Sequence, residues 1–307
     1  MKSACLAILN YNGVRHLQHL LPTACEAAKN YPGHCSVLVL DNCSTQPDVE
    51  WIKTHFPMVK IAVAPKNDYF FSYNWLLPKL SDDLVVLLNN DTRVKNDFLA
   101  PLTRHFEASD VFAVSACSYD WEDTQVTTGP VELVFKNGFY GWPFNLSRQE
   151  TAHTLFCSGA CMAVDRKKFV ELGGFNRLFY PAYCEDLEIC VRAWRRGWRC
   201  IYEPSSIVWH REQASWTASS YSRPNQLNLK NSLLFQWASL PMDRDRAIRY
   251  WSIVKILSGF LIRADFFWPK TLIKSLSVWF NVRRSHRSMK MSPAELEMIL
   301  SRIRSPF

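Results

Sequence analysis

The sequence predicts an α/β protein with a doubly wound, mainly parallel central sheet and a helical C-terminal extension. Strand-like apolar segments alternate four times with helix-like segments in the first part of the chain, as in a parallel sheet covered by helices. A hydrophobic content of 48% over 307 residues is ample for a folded core. Some apolar segments end in acidic side chains, and ligands of open α/β sheets bind at the carboxyl edge.

The first part of the chain supplies the elements of this sheet in regular order. Buried strands are predicted at 4–9, 35–40, 59–64 and 84–88. The intervening helices, predicted from the spacing of apolar residues, are 16–30, 49–55 and 74–80. Four strands and their connecting helices therefore form the predicted beginning of the sheet.

The order of elements changes beyond Asp97. A strand is predicted at 111–116, and a strand at 155–164 is interrupted by Ser158 and Gly159. A glycine inside a strand pattern marks close approach of the backbone, so a ligand is expected near this pair. The remaining predicted elements are a loop-rich stretch at 118–150, a helix at 187–196, short strands at 200–202 and 207–209, and helices after Pro224.

Charge and cysteine content restrict the class of protein. All of the net charge of +8 lies in residues 243–307, which hold 13 Lys or Arg and 5 Asp or Glu, whereas residues 1–242 hold 23 of each. Ten cysteines without a CxxC motif favour buried reduced thiols in a cytosolic protein over a zinc or disulfide framework. No convincing signal peptide or membrane-spanning run is found, so a cytoplasmic protein is expected.

Two acidic signatures predict the chemistry. One places Asp91 just after the predicted strand 84–88, and the other places Glu185 and Asp186 just before a predicted helix. A hard cation that holds a diphosphate needs an oxygen ligand such as Asp91. A Glu-Asp pair before a helix can supply the base that deprotonates an acceptor hydroxyl. Together they predict metal-assisted transfer of a group from a phosphorylated donor.

Eight short motifs occur in an order that is typical of one enzyme family, whereas the GxGxxG and GxxxxGK[ST] phosphate loops are missing. The motifs are 8–13, 39–44, 67–74, 87–92, 158–160, 173–176, 183–188 and 208–210. With them the chain resembles the nucleotide-sugar-dependent glycosyltransferases of family 2, which have the GT-A fold. It is most similar to the rhamnosyltransferase-like branch that builds bacterial surface polysaccharides. The resemblance covers about residues 3–240.

The resemblance implies a donor nucleotide site at the ends of the first strands. It implies that Asp41 accepts a hydrogen bond from the nucleotide base, although an ordinary helix cap is the alternative role for this residue. The other residues implied in nucleotide binding are Tyr11, Asn12, Asn67, Asn74 and Asn90. The chain departs from the family at Tyr69 and Leu76, where glycines are common, which leaves the shape of that loop open.

The resemblance also implies a metal site and a catalytic base. Asp91 is expected to hold Mn²⁺ or Mg²⁺ together with His210, because carboxylate and imidazole suit these ions, Mn²⁺ best. Asp186 is the implied base, with Glu185 beside it, near a sugar-binding loop at Ser158 and Gly159. The structural alternatives are helix capping for Asp91 and Asp186 and a packing role for His210.

The implied enzyme is an inverting, metal-dependent hexosyl- or rhamnosyltransferase. Its donor is a dTDP-, UDP- or GDP-linked sugar, and its acceptor is a hydroxyl of a glycan or lipid-linked glycan in surface polysaccharide synthesis. The implied catalytic domain is 1–242, with a nucleotide-sugar half at about 1–116 and an acceptor half at about 117–242. A non-catalytic nucleotide-sugar-binding or scaffold protein is the alternative, supported by Asn89 in place of an acidic residue. A nucleotidyltransferase is disfavoured because its glycine-rich basic loop is missing.

The last region, 243–307, is predicted to be helical, basic and amphipathic. Arginines and lysines form a narrow stripe on 246–263, opposite a broad apolar face, and further Trp and Arg residues follow. Such segments bind anionic membrane surfaces, so peripheral association with the inner face of the cell membrane is expected. Packing of these helices on the protein is the alternative. Nucleic acid is not an expected partner, because no recognised module accompanies the charge.

Overall fold

The computed structural model describes residues 1–136, 138–211, 224–241, 267–282 and 287–307, and it confirms the predicted α/β class. The strands are β1 (Ala4–Asn10), β2 (Cys35–Asp41), β3 (Lys60–Val63), β4 (Leu84–Asn89), β5 (Thr92–Val94), β6 (Val111–Tyr119), β7 (Val134–Lys136), β8 (Phe139–Gly141), β9 (Ala152–His153), β10 (Cys161–Asp165) and β11 (Arg199–His210). The helices are α1 (Val14–Asn30), α2 (Asp48–His55), α3 (Ser72–Leu76), α4 (Leu99–Arg104), α5 (Arg166–Glu171), α6 (Glu185–Arg195), α7 (Pro224–Ser239), α8 (Phe267–Val282) and α9 (Pro293–Arg304).

Nine strands form one sheet in the order β3-β2-β1-β4-β10-β6-β11-β5, with β9 paired to β11. β1 pairs in parallel with β2 and β4, and β11 pairs in parallel with β6. β10 runs antiparallel between β4 and β6. Asn10 is in register with Asp41, and Leu9 with Asn89, so the carboxyl ends of three strands meet at one edge, as predicted.

Apolar layers cover both faces of the sheet, because successive side chains of a strand point to opposite faces. Leu6 and Ile8 of β1 pack in the layer that contains α1, and Cys5 and Ala7 pack in the layer that contains α6. α1 contributes apolar residues at helical spacing to its layer. They are Leu17, Leu20, Leu21, Ala24 and Ala27, all buried. The sheet edge that carries the polar strand ends is thereby held between two packed layers.

Three predicted elements differ from the structure. The segment 155–160 is a loop, because a turn from Ser158 to Cys161 precedes β10. The two short strands at 200–202 and 207–209 are one strand, β11, whose register shifts around Pro204, which has no N–H to donate. The helix expected at 74–80 is α3 flanked by 3₁₀ turns, since Pro78 cannot continue α-helical hydrogen bonding.

The C-terminal region is described only in part, since the predicted amphipathic stripe at 246–263 lies outside the described residues. α8 packs against α7. α9 buries Leu296, Ile299 and Ile303 in the layer that contains α6, and Glu295 forms an ion pair with Arg195. The packing alternative therefore holds for α9. Within the described ranges, no helix combines the length and the apolar character that crossing a membrane requires.

Candidate active site

Asn10 joins the ends of three chain segments at the carboxyl edge of the sheet. Its Nδ2 donates to Asp48 Oδ2 at 2.8 Å, and its Oδ1 accepts from Asn90 Nδ2 at 2.8 Å. Asp48 Oδ2 also accepts from the Gly13 N–H at 2.7 Å. A Cβ at Gly13 would lie 2.1 Å from Asn90 Nδ2, so a side chain at this position would displace the Asn10–Asn90 contact. The network places Asn90, a predicted nucleotide ligand, beside the start of α1.

Asp41 is buried and holds a turn. Its carboxylate accepts hydrogen bonds from the Ser44 hydroxyl at 2.6 Å and the Ser44 N–H at 3.0 Å. It does not cap α2, whose N-terminal flanking residue is Pro47 and which has no side-chain cap. The capping alternative is therefore wrong, and the contact of Asp41 with a nucleotide base stays a prediction.

Tyr11 and Asn12 form the loop between β1 and α1. Asn12 has a left-handed backbone with φ of 49°, and its Oδ1 accepts from the Thr45 N–H at 2.8 Å and the Gln46 N–H at 3.1 Å. Asn12 thus ties this loop to the loop after β2. Tyr11 is 42% exposed at the same edge, so its ring is the more accessible of the two to a base.

Asn67 and Asn74 hold the neighbouring loop. Asn67 Oδ1 accepts from Asn42 Nδ2 at 2.9 Å. Asn74 exchanges two hydrogen bonds of 2.8 Å with the backbone of Phe175. Tyr69, where glycines are common in the family, has φ of 53° and so keeps the backbone shape that a glycine would supply. Contact of Asn67 or Asn74 with the donor stays a prediction, since the described bonds of both are internal.

The two predicted metal ligands lie together. His210 Nε2 is 3.2 Å from Asp91 Oδ1, because β11 pairs with β5 just after the end of β4 and places His210 opposite Thr92. Asp91 is nearly fully buried, with its carbonyl bonded to the Arg211 N–H at 2.9 Å. A buried carboxylate with an imidazole beside it is an oxygen–nitrogen donor set that fits Mn²⁺.

His16, which the sequence analysis did not single out, lies near this pair. Burial lowers the pKa of His16, while the charge of Asp91 acts in the opposite direction and that of Arg15 acts with burial. Arg15 Nε donates to His16 Nε2 at 3.1 Å, a contact that requires this nitrogen to lack a proton. Neutral His16 and the cationic Arg15 therefore stand side by side in the first turn of α1, and His16 is close enough to Asp91 for the charge of that carboxylate to act on it.

Asp186 is docked on the Ser158–Gly159 loop. Its Oδ2 accepts from the Gly159 N–H at 3.1 Å, and the neighbouring Ala160 carbonyl accepts from the Asn89 N–H at 3.1 Å. A Cβ at Gly159 would lie 2.8 Å from the Phe70 ring, which explains why a glycine stands there. One short loop thereby connects the predicted base with the end of β4, which precedes Asp91.

The carboxyl groups of Glu185 and Asp186 differ in the hydrogen bonds they accept. Burial raises the pKa of Asp186 to about 6, although the N–H groups of Gly159 and Leu187 favour its charged form. Burial, and then the charge of Asp186, raise the pKa of Glu185 well above its usual range, and Glu185 Oε2 has no hydrogen-bond partner within the described residues. Cys184 is the residue that flanks α6, so the capping alternative for Asp186 is wrong.

A strained turn precedes α6. Tyr183 and Cys184 have φ values of 72° and 68°, a conformation that costs on the order of 1–2 kcal/mol for each residue with a side chain. Asn231 of α7, fully buried, donates from Nδ2 to the carbonyls of Ala182 at 2.6 Å and Tyr183 at 3.1 Å. No local sequence pattern indicates this contact, because Asn231 lies on a distant helix.

Comparison with known proteins identifies the family of the chain. Residues 6–223 match the family model described as glycosyltransferase like family 2. The O-antigen biosynthesis protein RfbC of Myxococcus xanthus is 28% identical over 211 residues, 63% of this chain and 16% of that protein. Rhamnosyltransferase WbbL of Escherichia coli K12 is 27% identical over 139 residues, 42% of this chain and 52% of WbbL. The chain thus spans about a sixth and about half of the lengths of these relatives.

Solved structures share the fold. Mannosyltransferase PcManGT from Pyrobaculum calidifontis, in complex with GDP-Man and Mn²⁺, has a TM-score of 0.55 and 16% identity, with 97% of this chain and 86% of that chain covered. S. aureus TarS in complex with UDP-GlcNAc has a TM-score of 0.59 and 14% identity, with 98% and 88% covered. These identities establish the fold alone, and they confirm the GT-A class. Since the family model matches most of its length, the chain belongs to the family 2 glycosyltransferases, with an O-antigen biosynthesis protein and a rhamnosyltransferase among its relatives.

Proposed function

We propose that this chain is an inverting, metal-dependent glycosyltransferase that moves a hexosyl or rhamnosyl group from a nucleoside-diphosphate sugar to an acceptor hydroxyl. The observation that carries the proposal is the short connection between the two acidic signatures. Asp186 lies on Gly159, and Ala160 is bonded to Asn89, two residues before Asp91. A single displacement requires a base for the attacking hydroxyl and a cation for the leaving diphosphate, and the two must lie close together.

The residues divide the reaction between them. Asp186, deprotonated above a pKa of about 6, accepts the proton of the acceptor hydroxyl as its oxygen attacks the anomeric carbon. The bond from that carbon to the diphosphate breaks on the opposite face, so the configuration inverts. Asp91 and His210 would hold Mn²⁺ or Mg²⁺, which offsets charge on the departing diphosphate when bound.

The donor is proposed to be a dTDP-, UDP- or GDP-linked sugar. Its nucleotide would lie along the edge formed by Tyr11, Asp41 and Asn90, with Asn12, Asn67 and Asn74 shaping the loops around it. The related folds that hold GDP-Man or UDP-GlcNAc support a nucleotide sugar of this kind. The name of RfbC, an O-antigen biosynthesis protein, supports a place in surface polysaccharide synthesis, and the name of WbbL supports rhamnosyl transfer.

The acceptor is proposed to be a glycan or lipid-linked glycan, met at the inner face of the cell membrane. α8 exposes Ile273 and Phe280, which are 66% and 57% accessible and two helical turns apart. The basic excess of the chain lies in the same C-terminal region. Exposed apolar side chains among basic residues favour an anionic membrane surface.

Metal-dependent donor binding tests the proposal. Isothermal calorimetry with UDP-, dTDP- and GDP-sugars, with and without Mn²⁺, should identify a donor that binds only with the cation, and product analysis should then detect transfer. Asp91→Ala should remove this metal-dependent affinity, whereas Asp97→Ala, an exposed carboxylate a few residues on, should not. Metal-dependent affinity that persists in Asp91→Ala would contradict the assignment. Binding without any turnover in the wild type would favour the non-catalytic alternative.

A further inference from the structure

Three cysteines from separate segments lie together next to the Ser158–Gly159 loop. Cys157 precedes Ser158, Cys190 lies on α6, and Cys200 lies on β11. Their Sγ atoms all lie within 4.8 Å of one another, and all three residues are fully buried. The Cys157 N–H donates to Cys190 Sγ at 3.5 Å. Sequence spacing alone pairs Cys157 with Cys161, so only the fold brings this set together.

We propose that Cys157, Cys190 and Cys200, hereafter the thiol cluster, bind one thiophilic d¹⁰ cation, Zn²⁺ or Cu⁺, through three thiolates. Sulfur atoms that share a Zn²⁺ at about 2.3 Å lie about 3.8 Å apart, so the observed limit requires a contraction of about 1 Å. Thiolate ligands select these soft cations over Mg²⁺ and Mn²⁺. The cluster is thus chemically distinct from the carboxylate–imidazole pair Asp91 and His210.

The thiol cluster is closed to solvent, because all three cysteines are fully buried. Binding of the cation would release the thiol protons to solvent, and the cation would offset part of the charge of the three thiolates. Asp186 and Arg192, on the same helix as Cys190, are the charged groups that act on that sulfur.

The thiol cluster lies where a bound cation would link the Gly159 loop to helix α6. Cys157 is two residues from Gly159, and Cys190 is one helical turn from Asp186. A shared cation would therefore bridge the loop and the helix whose contact holds the Asp186 carboxylate at 3.1 Å from the Gly159 N–H. Binding to the folded state should raise the melting temperature of the protein.

The test measures thiolate–metal absorption and does not depend on activity or on Asp91 and His210. The full-length protein, with the three partly buried cysteines replaced by serine, is expressed and titrated with Co²⁺ and Cd²⁺ over hours, and Zn²⁺ and Cu⁺ then compete. The replaced residues are Cys25, Cys35 and Cys43. Thiolate charge-transfer bands that saturate at one ion per chain, with a rise in melting temperature, are the expected result.

Matched variants locate the site. Cys190→Ala and Cys200→Ala should lose the charge-transfer bands, whereas Cys161→Ala and Cys5→Ala, equally buried and outside the cluster, should keep them. If a cluster variant does not fold, the titration of the parent protein, in which Cys25, Cys35 and Cys43 are serine, still decides. Absence of thiolate bands in the folded parent protein, or bands that survive in Cys190→Ala, would overturn the proposal and leave the thiols as ordinary core residues.

Discussion

Asp186 is a carboxyl group on which burial and hydrogen bonding act in opposite directions. Burial raises its pKa to about 6, and the Gly159 and Leu187 N–H groups limit that rise by stabilising the charged form. At neutral pH the group is therefore ionised, yet it is more basic than an ordinary aspartate. This is the property that a general base needs near its working pH.

Asp186→Asn should lower the transfer rate by ~10²–10⁴-fold, because the amide cannot accept the proton. Donor affinity should stay within a few-fold, since Asp186 is bonded to the Gly159 loop rather than to the residues of the proposed nucleotide edge. Steady-state kinetics and calorimetry on the purified variant check both quantities. Glu171→Gln, an exposed ion-paired carboxylate elsewhere in the chain, serves as the control. Turnover near the wild-type value in folded Asp186→Asn would refute the base assignment.

The same pKa predicts opposite pH trends for activity and stability. Activity should fall as the pH falls through about 6, because the base becomes protonated. The pKa of Asp186 in the folded protein is higher than that of an ordinary aspartate, so the folded protein binds this proton more tightly than the unfolded chain does. The group therefore favours folding as the pH falls through that range. Asp186→Asn should therefore raise the melting temperature at pH above about 7 more than at pH below about 5. Equal shifts at both pH values would argue against a buried charge.

Helix α7 contacts the turn that precedes Glu185 and Asp186, the proposed catalytic pair. Asn231 donates to backbone carbonyls of that turn, which holds two consecutive left-handed residues, Tyr183 and Cys184. Asn231→Ala should lower kcat by about 10²-fold through misplacement of Asp186, with little change in the donor affinity. It should also lower the free energy of unfolding by about 1–3 kcal/mol, since the carbonyls lose their donor.

Asn228→Ala is the control for Asn231, because Asn228 is exposed on the same helix one turn earlier. A lower kcat with unchanged donor affinity in Asn231→Ala would identify a positioning role for Asn231. If Asn231→Ala lowered the melting temperature and left kcat unchanged, Asn231 would act on stability alone.

Elements with a regular local pattern could be predicted from the sequence, and contacts between distant elements could not. The strand ends at Asp41 and Asn89 follow from apolar runs of strand length, so the polar edge was expected. Asp48 was missed because the predicted helix began one residue later, although this carboxylate anchors Asn10. The contact of Asn231 with Tyr183 spans 48 residues and has no local signature. The position of β10 between β4 and β6 depends on pairing with strands that are distant in the sequence, and the spacing of apolar residues does not predict such pairing.

At the scale of the whole molecule, the chain is electrostatically divided. Residues 1–242 carry no net charge, and 243–307 carry all of the +8. α9, from the charged region, is packed into the core with α6, so a truncation after residue 242 would expose apolar surface. Substitution in the full-length chain is therefore the better test of membrane association.

Ile273→Ser with Phe280→Ser should weaken sedimentation with anionic liposomes, most visibly at high salt, because apolar insertion is not screened. Replacement of Arg283, Arg284 and Arg287 by Gln should instead flatten the salt dependence, at about 1 kcal/mol per basic side chain. Met298→Ser, an exposed apolar position on α9, is the control. Failure of the wild-type chain to sediment with either neutral or anionic liposomes would end the membrane proposal.

The antiparallel strand β10 determines where the chain can be cut into fragments that still fold. In the described part of the chain, β10 is the strand that joins β1–β4 to β6 and β11, and it arrives late in the sequence. A fragment that stops near residue 116 would leave the hydrogen-bonding edge of β4 open along Val85, Val86 and Leu87, all apolar. Such an edge pairs readily with other chains. Split-gene reporters or separately expressed halves should therefore aggregate, whereas a cut in the loops after β10 keeps that edge covered.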